Sequence, residues 1–180
     1  MQEFLVLPGY NGSGPQHWQT LWEADHPGFR RVQQPDWDNP VQREWSETLE
    51  RAIAETPDEA VLIAHSLACL LVVHWAAMAA PATLAKVKAA LLVAPVDPEG
   101  PAFPKECVGF FPVPKSRLPF RSLILASTND PYATVEYTLE LSQSWGSRFE
   151  VIGPKGHING ASGLGRWDDG FQHLTGLVRG

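Results

Sequence analysis

A three-layer α/β/α sandwich built on a mainly parallel sheet of about six strands is predicted by three features of this sequence. Short apolar runs rich in β-type residues alternate with helical patterns along nearly the whole chain. The first of them, Glu3 to Pro8, is a continuous apolar run, as a parallel strand covered on both faces requires. The 180 residues, 44% hydrophobic and 19% charged, leave room for one domain with a sizeable core. No repeat, low-complexity tract or linker marks a second domain, so residues 1–180 are expected to form one unit.

The first run, Glu3 to Pro8, opens directly into Gly9-Tyr10-Asn11-Gly12-Ser13-Gly14-Pro15. Three glycines within six residues give a loop whose backbone can come close to a ligand. A phosphate loop is disfavoured, because the stretch has no lysine, no G-x-x-x-x-G-K-[ST] and no G-x-G-x-x-G in register. Gln16 to Trp22 has apolar residues at helical spacing, and Phe29 to Gln34 reads as a second strand. Pro35 to Pro40 is turn chemistry, with Asn39 placed as an N-cap and Pro40 as a first helical residue. Val41 to Thr56 then forms an amphipathic helix with Trp45, Leu49, Ala52 and Ile53 on one face.

The third run, from Val61, stops at a lone hydroxyl, Ser66, and resumes as an almost wholly apolar helix over Leu67 to Ala80. Strand, tight turn and helix around a serine make a nucleophile elbow, G-x-S-x-G, with Ala64 and Ala68 at the glycine positions. Those positions must be small because the strained turn brings its neighbours against the adjoining strand and helix. A fourth strand covers Ala89 to Ala94. Seven prolines between Pro95 and Pro119 exclude a regular element, and residues 97–119 are expected to form a lid-like loop whose phenylalanines supply an apolar wall. Strands over Arg121 to Ser127 and Arg148 to Ile152 flank a helix over Tyr132 to Trp145, and Phe171 to Val178 reads as a terminal helix.

In an open α/β sheet, ligand sites gather outside the carboxyl ends of the strands. Four pieces of this chain end there: the Gly9 to Gly14 loop, Ser66, Asp130 and His157. Serine, then aspartate, then histidine, each following its own strand, is the order used by α/β-hydrolases. A serine hydroxyl needs a base at neutral pH, imidazole can take its proton and return it to a leaving group, and a carboxylate fixes the ring tautomer. Ser66 is therefore the candidate nucleophile, His157 the general base and acid, and Asp130 the orienting acid. Asp97 also follows a strand, but Asp130 is preferred. The backbone N–H groups of Leu67 and Tyr10 are the expected oxyanion donors. Asn11, His65, Trp37, Phe110 and Phe111 are expected to border the substrate, His65 being either pocket wall or a hydrogen-bonded structural residue.

With these residues in view, the chain resembles the small serine hydrolases of the retinoblastoma-binding-protein-9 and YdeN type within the α/β-hydrolase superfamily. The resemblance runs over nearly the full length. It is carried by Leu7-Pro8-Gly9-Tyr10-Asn11-Gly12-Ser13-Gly14, His17-Trp18, Pro35-Asp36-Trp37, Ala64-His65-Ser66-Leu67, Ser127-Thr128-Asn129-Asp130-Pro131 and Gly156-His157-Ile158-Asn159. It implies a compact hydrolase with a minimal cap and no cofactor, active on small esters. Ala68 departs from it, standing where the elbow more usually has glycine.

A net charge of -6 without a basic run gives no footprint for nucleic acid or an anionic membrane. No apolar run approaches the roughly 18 residues of a membrane span, and no signal-peptide pattern is present, so a cytoplasmic protein is expected, monomeric or a weak homodimer. Two cysteines, Cys69 and Cys107, are read as free thiols. His17, His26, His74 and His173 fall in no H-E-x-x-H or zinc-type spacing, so no metal site is expected. The chemistry points to a small, neutral carboxylic ester as substrate. The alternative is a catalytically weak or inactive binding protein on the same fold.

Overall fold

A computed structural model describes residues 2–180. Six strands form one parallel sheet: β1 (Glu3–Leu7), β2 (Phe29–Arg31), β3 (Ala60–His65), β4 (Val87–Val93), β5 (Arg121–Ala126) and β6 (Arg148–Val151). Their order is β2-β1-β3-β4-β5-β6, so the sheet grows in one direction from β1 to β2 and in the other from β3 onward. The reversal lies between β1 and β3, and ligand sites in such sheets form at that crevice.

The central strands are apolar on both faces because both are covered. Leu62 and Ala64 of β3 join a core with Trp45, Leu49 and Ile53 of α2 (Gln42–Ala54) and with α3 (Leu67–Ala76). Val61 and Ile63 join a second core with Trp18 and Trp22 of α1 (Trp18–Asp25) and with Leu174 and Leu177 of the terminal helix (Asp168–Arg179). Helix α3 is apolar nearly all round because β3 lies on one side and α2 on the other. A short helix α4 (Pro81–Leu84) follows, then α5 (Val135–Trp145), and the Asp168–Arg179 helix is α6. Among the described residues no helix is long and apolar enough to cross a membrane.

Several boundaries differ from expectation for local reasons. Asn39 is not the N-cap of α2: its amide N–H and side-chain Nδ2 donate to Asp36, in a turn that keeps it outside the helix. The cap position falls to Val41, in extended backbone, where it forms an isolated parallel bridge with Val108 of the proline-rich segment. Helix α3 stops at Ala76, and α5 begins only at Val135, with the Thr134 hydroxyl accepting from Tyr137 N–H. Helix α1 starts at Trp18 because His17 caps it.

The proline-rich segment has no regular element and is strapped down along its length. Asp97 N–H donates to Tyr132 O (3.0 Å) and Val108 N–H to Pro40 O (2.9 Å). His74 Nε2–H donates to Phe110 O (3.0 Å), and Trp145 Nε1–H to Pro114 O (2.9 Å).

Candidate active site

Ser66 occupies the single residue between β3 and α3, with φ +59° and ψ −124°. A side chain is strained there, and such strain persists only where the surroundings over-determine the conformation. Ser66 N–H donates to Val93 O (2.9 Å), extending the β3–β4 ladder, and Cys69 N–H donates back to Ser66 O (3.0 Å). Ala64 and Ala68 on either side are fully buried. The first loop packs directly on this turn: a Cβ on Gly9 would lie 2.9 Å from both Ser66 Cβ and His65 O, and 3.2 Å from Leu67 N. Only glycine allows that approach. Asn11 N–H is committed to Trp37 O (2.8 Å), whereas the N–H groups of Tyr10 and Leu67 meet no acceptor among the described residues. Leu67 is the first residue of α3, where N–H groups lack intrahelical partners.

The loops after β5 and β6 bring an imidazole and a carboxylate to this hydroxyl. His157 Nε2 lies 2.8 Å from Ser66 Oγ. Its Nδ1 lies 2.9 and 3.0 Å from the two oxygens of Asp130, whose side chain is 4% exposed. A carboxylate only accepts, so Nδ1 carries the proton and Nε2 faces the serine hydroxyl as an acceptor. Asp130 also accepts from Tyr132 N–H (2.9 Å), and the Tyr132 ring lies 4.4 Å from that of His157. Asp97 caps its own turn, accepting from Glu99 N–H (2.9 Å).

Side chains replace main chain where the β5 and β6 loops part. Lys155 N–H donates to Ser127 Oγ (2.9 Å), and Asn129 Oδ1 accepts from Ser127 Oγ (3.0 Å) and Gly156 N–H (2.7 Å). Gln19, fully buried, serves the other side: its Nε2 donates to Leu7 O and Ile63 O, and its Oε1 accepts from Ser13 Oγ. Sequence reasoning gave neither Asn129 nor Gln19 a role. Asn129 adjoins a candidate acid and could have been singled out, but nothing local distinguishes Gln19.

Two further histidines stand nearby: the His65 ring lies 4.9 Å from that of His157, and the His17 ring 4.7 Å from that of His65. His17 accepts from Gln19 N–H at Nδ1 (3.2 Å), and burial, with the Arg31 charge as a lesser cause, pushes its pKa down to about 3. Full burial pushes His65 well below the ordinary histidine range, so both rings are neutral at physiological pH. Burial also pushes the thiols of Cys69 and Cys107 up, the latter to about 12, which leaves them protonated and unreactive.

A cleft of about 660 Å³ opens onto Ser66. Its wall includes Tyr10, Asn11, His17, Asn159, Phe103 and Tyr132, and among the described residues lining it no acidic or basic side chain occurs apart from histidines. Of the expected border residues, Asn11 and His65 lie on it. Phe110, Phe111 and Trp37 do not. Phe110 is 1% exposed and packs on Trp45 and His74, because its carbonyl is held by His74. Phe111, next in sequence, faces solvent at 57% exposure. Trp37 lies behind the first loop, against Gly12 and Trp45. Phe103, from the same proline-rich segment, stands in the cleft wall instead. Among the described residues no group of three or more His, Cys, Asp or Glu side chains could hold a metal ion.

A family model described as serine hydrolase matches residues 4–176. A YdeN-like hydrolase from Pectobacterium atrosepticum superposes with a TM-score of 0.86 at 26% identity, over 99% of this chain and 91% of that one. The ydeN gene product of B. subtilis superposes with a TM-score of 0.74 at 16% identity, over the whole of both chains. Est1E from Butyrivibrio proteoclasticus gives 0.68 at 11% identity, over 99% of this chain and 89% of that one. The last two speak for the fold alone. No curated protein sequence matches.

Proposed function

The chain belongs to the serine hydrolase family, and from that premise we propose that it hydrolyses small, uncharged carboxylic esters through an acyl-serine intermediate. Ser66 is the nucleophile, His157 the general base and then acid, and Asp130 the group that orients the imidazole. The observation that carries this reading is the unbroken chain of contacts from Ser66 Oγ to His157 Nε2 (2.8 Å) and from His157 Nδ1 to Asp130 (2.9 Å).

Attack of Oγ on the ester carbonyl passes its proton to Nε2 of His157, and Asp130 stabilises the imidazolium that forms. The carbonyl oxygen gains negative charge, and the N–H groups of Tyr10 and Leu67 are the donors for it; one such donor is typically worth about 10² to 10³ in turnover. The imidazolium returns the proton to the leaving alcohol. Water, deprotonated by the same ring, then cleaves the acyl-serine. Every group this chemistry calls for is supplied by the chain. The cleft wall carries no carboxylate, lysine or arginine, which favours a neutral substrate over a charged one.

The test is release of p-nitrophenol from acetyl, butyryl and octanoyl esters by wild type, Ser66→Ala and His157→Ala. Hydrolysis by wild type that falls at least about 10⁴-fold in both variants is expected. Activity that survives in Ser66→Ala overturns the assignment, and the chain-length trend sizes the pocket.

A further inference from the structure

The loop that carries His157 has a feature the reaction chemistry does not use. Ile158, the next residue, is fully buried with φ +50°, in the region L side chains rarely adopt. The loop's own main chain does little to hold it there; Ile158 N–H donates to Lys155 O (3.1 Å). Two consecutive carbonyls of this loop are instead held from outside by ring N–H donors. His65 Nε2 lies 2.9 Å from His157 O, and Trp18 Nε1–H donates to Ile158 O at 2.7 Å. A carbonyl only accepts, so His65 is the Nε2–H tautomer. His65 is the last residue of β3, bonded directly to Ser66, and Trp18 is the first residue of α1. Both rings are buried, at 5% and 1% exposure, and stand edge to face 6.1 Å apart.

We propose that His65 and Trp18 are positioning residues that clamp the main chain of the His157 loop at two successive carbonyls. In doing so they tie the base to the end of the nucleophile strand. Neither residue is asked to touch the reacting atoms. One donor reaches the base's own carbonyl from the residue preceding the nucleophile, so a movement of the β3 end carries Ser66 and His157 together. Trp18 holds the strained peptide that follows, which otherwise would relax and turn the imidazole away from Ser66 Oγ. The neutrality of His65, kept by its burial, is what lets one ring nitrogen serve as a permanent donor without placing a cation beside the base.

The clamp rests on the proposed hydrolytic reading, and the experiment separates the two. Glutamine places its side-chain N–H₂ where His65 has Nε2, whereas leucine fills similar space with no donor. Expected for p-nitrophenyl acetate is a kcat at least about 10-fold lower in His65→Leu, most of it recovered in His65→Gln, and a lowered kcat with unchanged KM in Trp18→Phe, whose ring lies outside the cleft wall. Equal impairment of the leucine and glutamine variants, or a full kcat in both His65→Leu and Trp18→Phe, overturns the proposal. The second measurement needs no catalysis. Long-range ¹H–¹⁵N spectra of wild type, with the His65 signals assigned by their loss in His65→Gln, must show the Nε2–H tautomer at pH 8. An Nδ1–H tautomer sinks the clamp whether or not the protein hydrolyses esters and whether or not the leucine variant folds. An inactive wild type with the Nε2–H tautomer overturns the hydrolytic reading and supports the contact between His65 and the His157 loop.

Discussion

Ser66 and His157 stand 2.8 Å apart, yet the chain holds them by different means. Ser66 is fixed by its own main chain: the ladder continues through its N–H to Val93 O, its carbonyl starts a helix, and Gly9 lies so near that a Cβ on it would fall 2.9 Å from Ser66 Cβ. His157 hangs on side chains, with Asp130 on Nδ1, His65 on its carbonyl, and Ser127 and Asn129 accepting from the N–H groups of the two residues before it, Lys155 and Gly156. One residue is placed by a local pattern of strand, turn and helix. The other is placed by partners up to 92 positions away. Substitutions near Ser66, the proposed nucleophile, are therefore expected to act through sterics, and those near His157, the proposed base, through lost hydrogen bonds.

The largest effect expected is on the base side. Asp130→Asn keeps the shape but presents the wrong hydrogen-bonding group to Nδ1, and kcat should fall about 10⁴-fold with the fold intact by circular dichroism. A loss under tenfold would mean that His157 is oriented without its carboxylate. On the nucleophile side, Gly9→Ala introduces a methyl 2.9 Å from Ser66 Cβ and His65 O. The first loop must lift, taking Tyr10 N–H with it, so a drop of about 10² to 10³ in kcat is expected. A retained kcat would show that Tyr10 is no oxyanion donor.

How much of this was legible in the sequence follows the same division. Ser66 could be read from eleven contiguous residues because an apolar strand and an apolar helix meet there at a hydroxyl. The strand alternation gave the order of elements, and the structure adds the position of the β1/β3 crevice. Asp130 and His157 could be proposed because each follows a strand, but what holds them could not. Gln19 reaches Ile63 O across 44 positions and Trp18 reaches Ile158 O across 140, distances at which no spacing rule applies. Phe110 and Phe111 show the limit most plainly. Adjacent, identical residues in a segment without period take opposite environments, because His74 and Trp145 fasten the chain between prolines at points the local sequence does not announce.

Stability against pH gives a smaller test. His17 is held near pKa 3 in the folded state against about 6.5 when unfolded. Below pH 6.5 the unfolded chain takes up a proton that the folded chain refuses, so stability is full above 6.5 and declines as pH falls toward 3. At about 1.4 kcal/mol per pH unit, His17 should cost about 2 kcal/mol between pH 7 and pH 5. Asn can keep the cap on Gln19 N–H without titrating, so His17→Asn should flatten the decline of the urea midpoint over that range by this amount. Parallel curves would mean that His17 takes up its proton equally in the folded and unfolded chains. The smallest effect is expected from Asn129→Leu, which removes the acceptor of Gly156 N–H and Ser127 Oγ. A fall of about 10-fold in kcat, largely restored by Asn129→Asp, would place the base under side-chain control, consistent with about 1 kcal/mol per hydrogen bond. Wild-type turnover in both variants would assign that control to the remaining contacts.

The backbone at Ser66 also decides which residues could replace it as the proposed nucleophile. At φ +59° a residue with one heavy atom beyond Cβ is strained but tolerated, and one branched at Cβ is a severe outlier. Threonine, chemically the nearest relative of serine, is thereby the closed road, while cysteine, which swaps oxygen for sulfur without branching, stays open. The turn selects among hydroxyl and thiol by shape before reactivity has any say, so mutational drift at this position is channelled by a torsion angle.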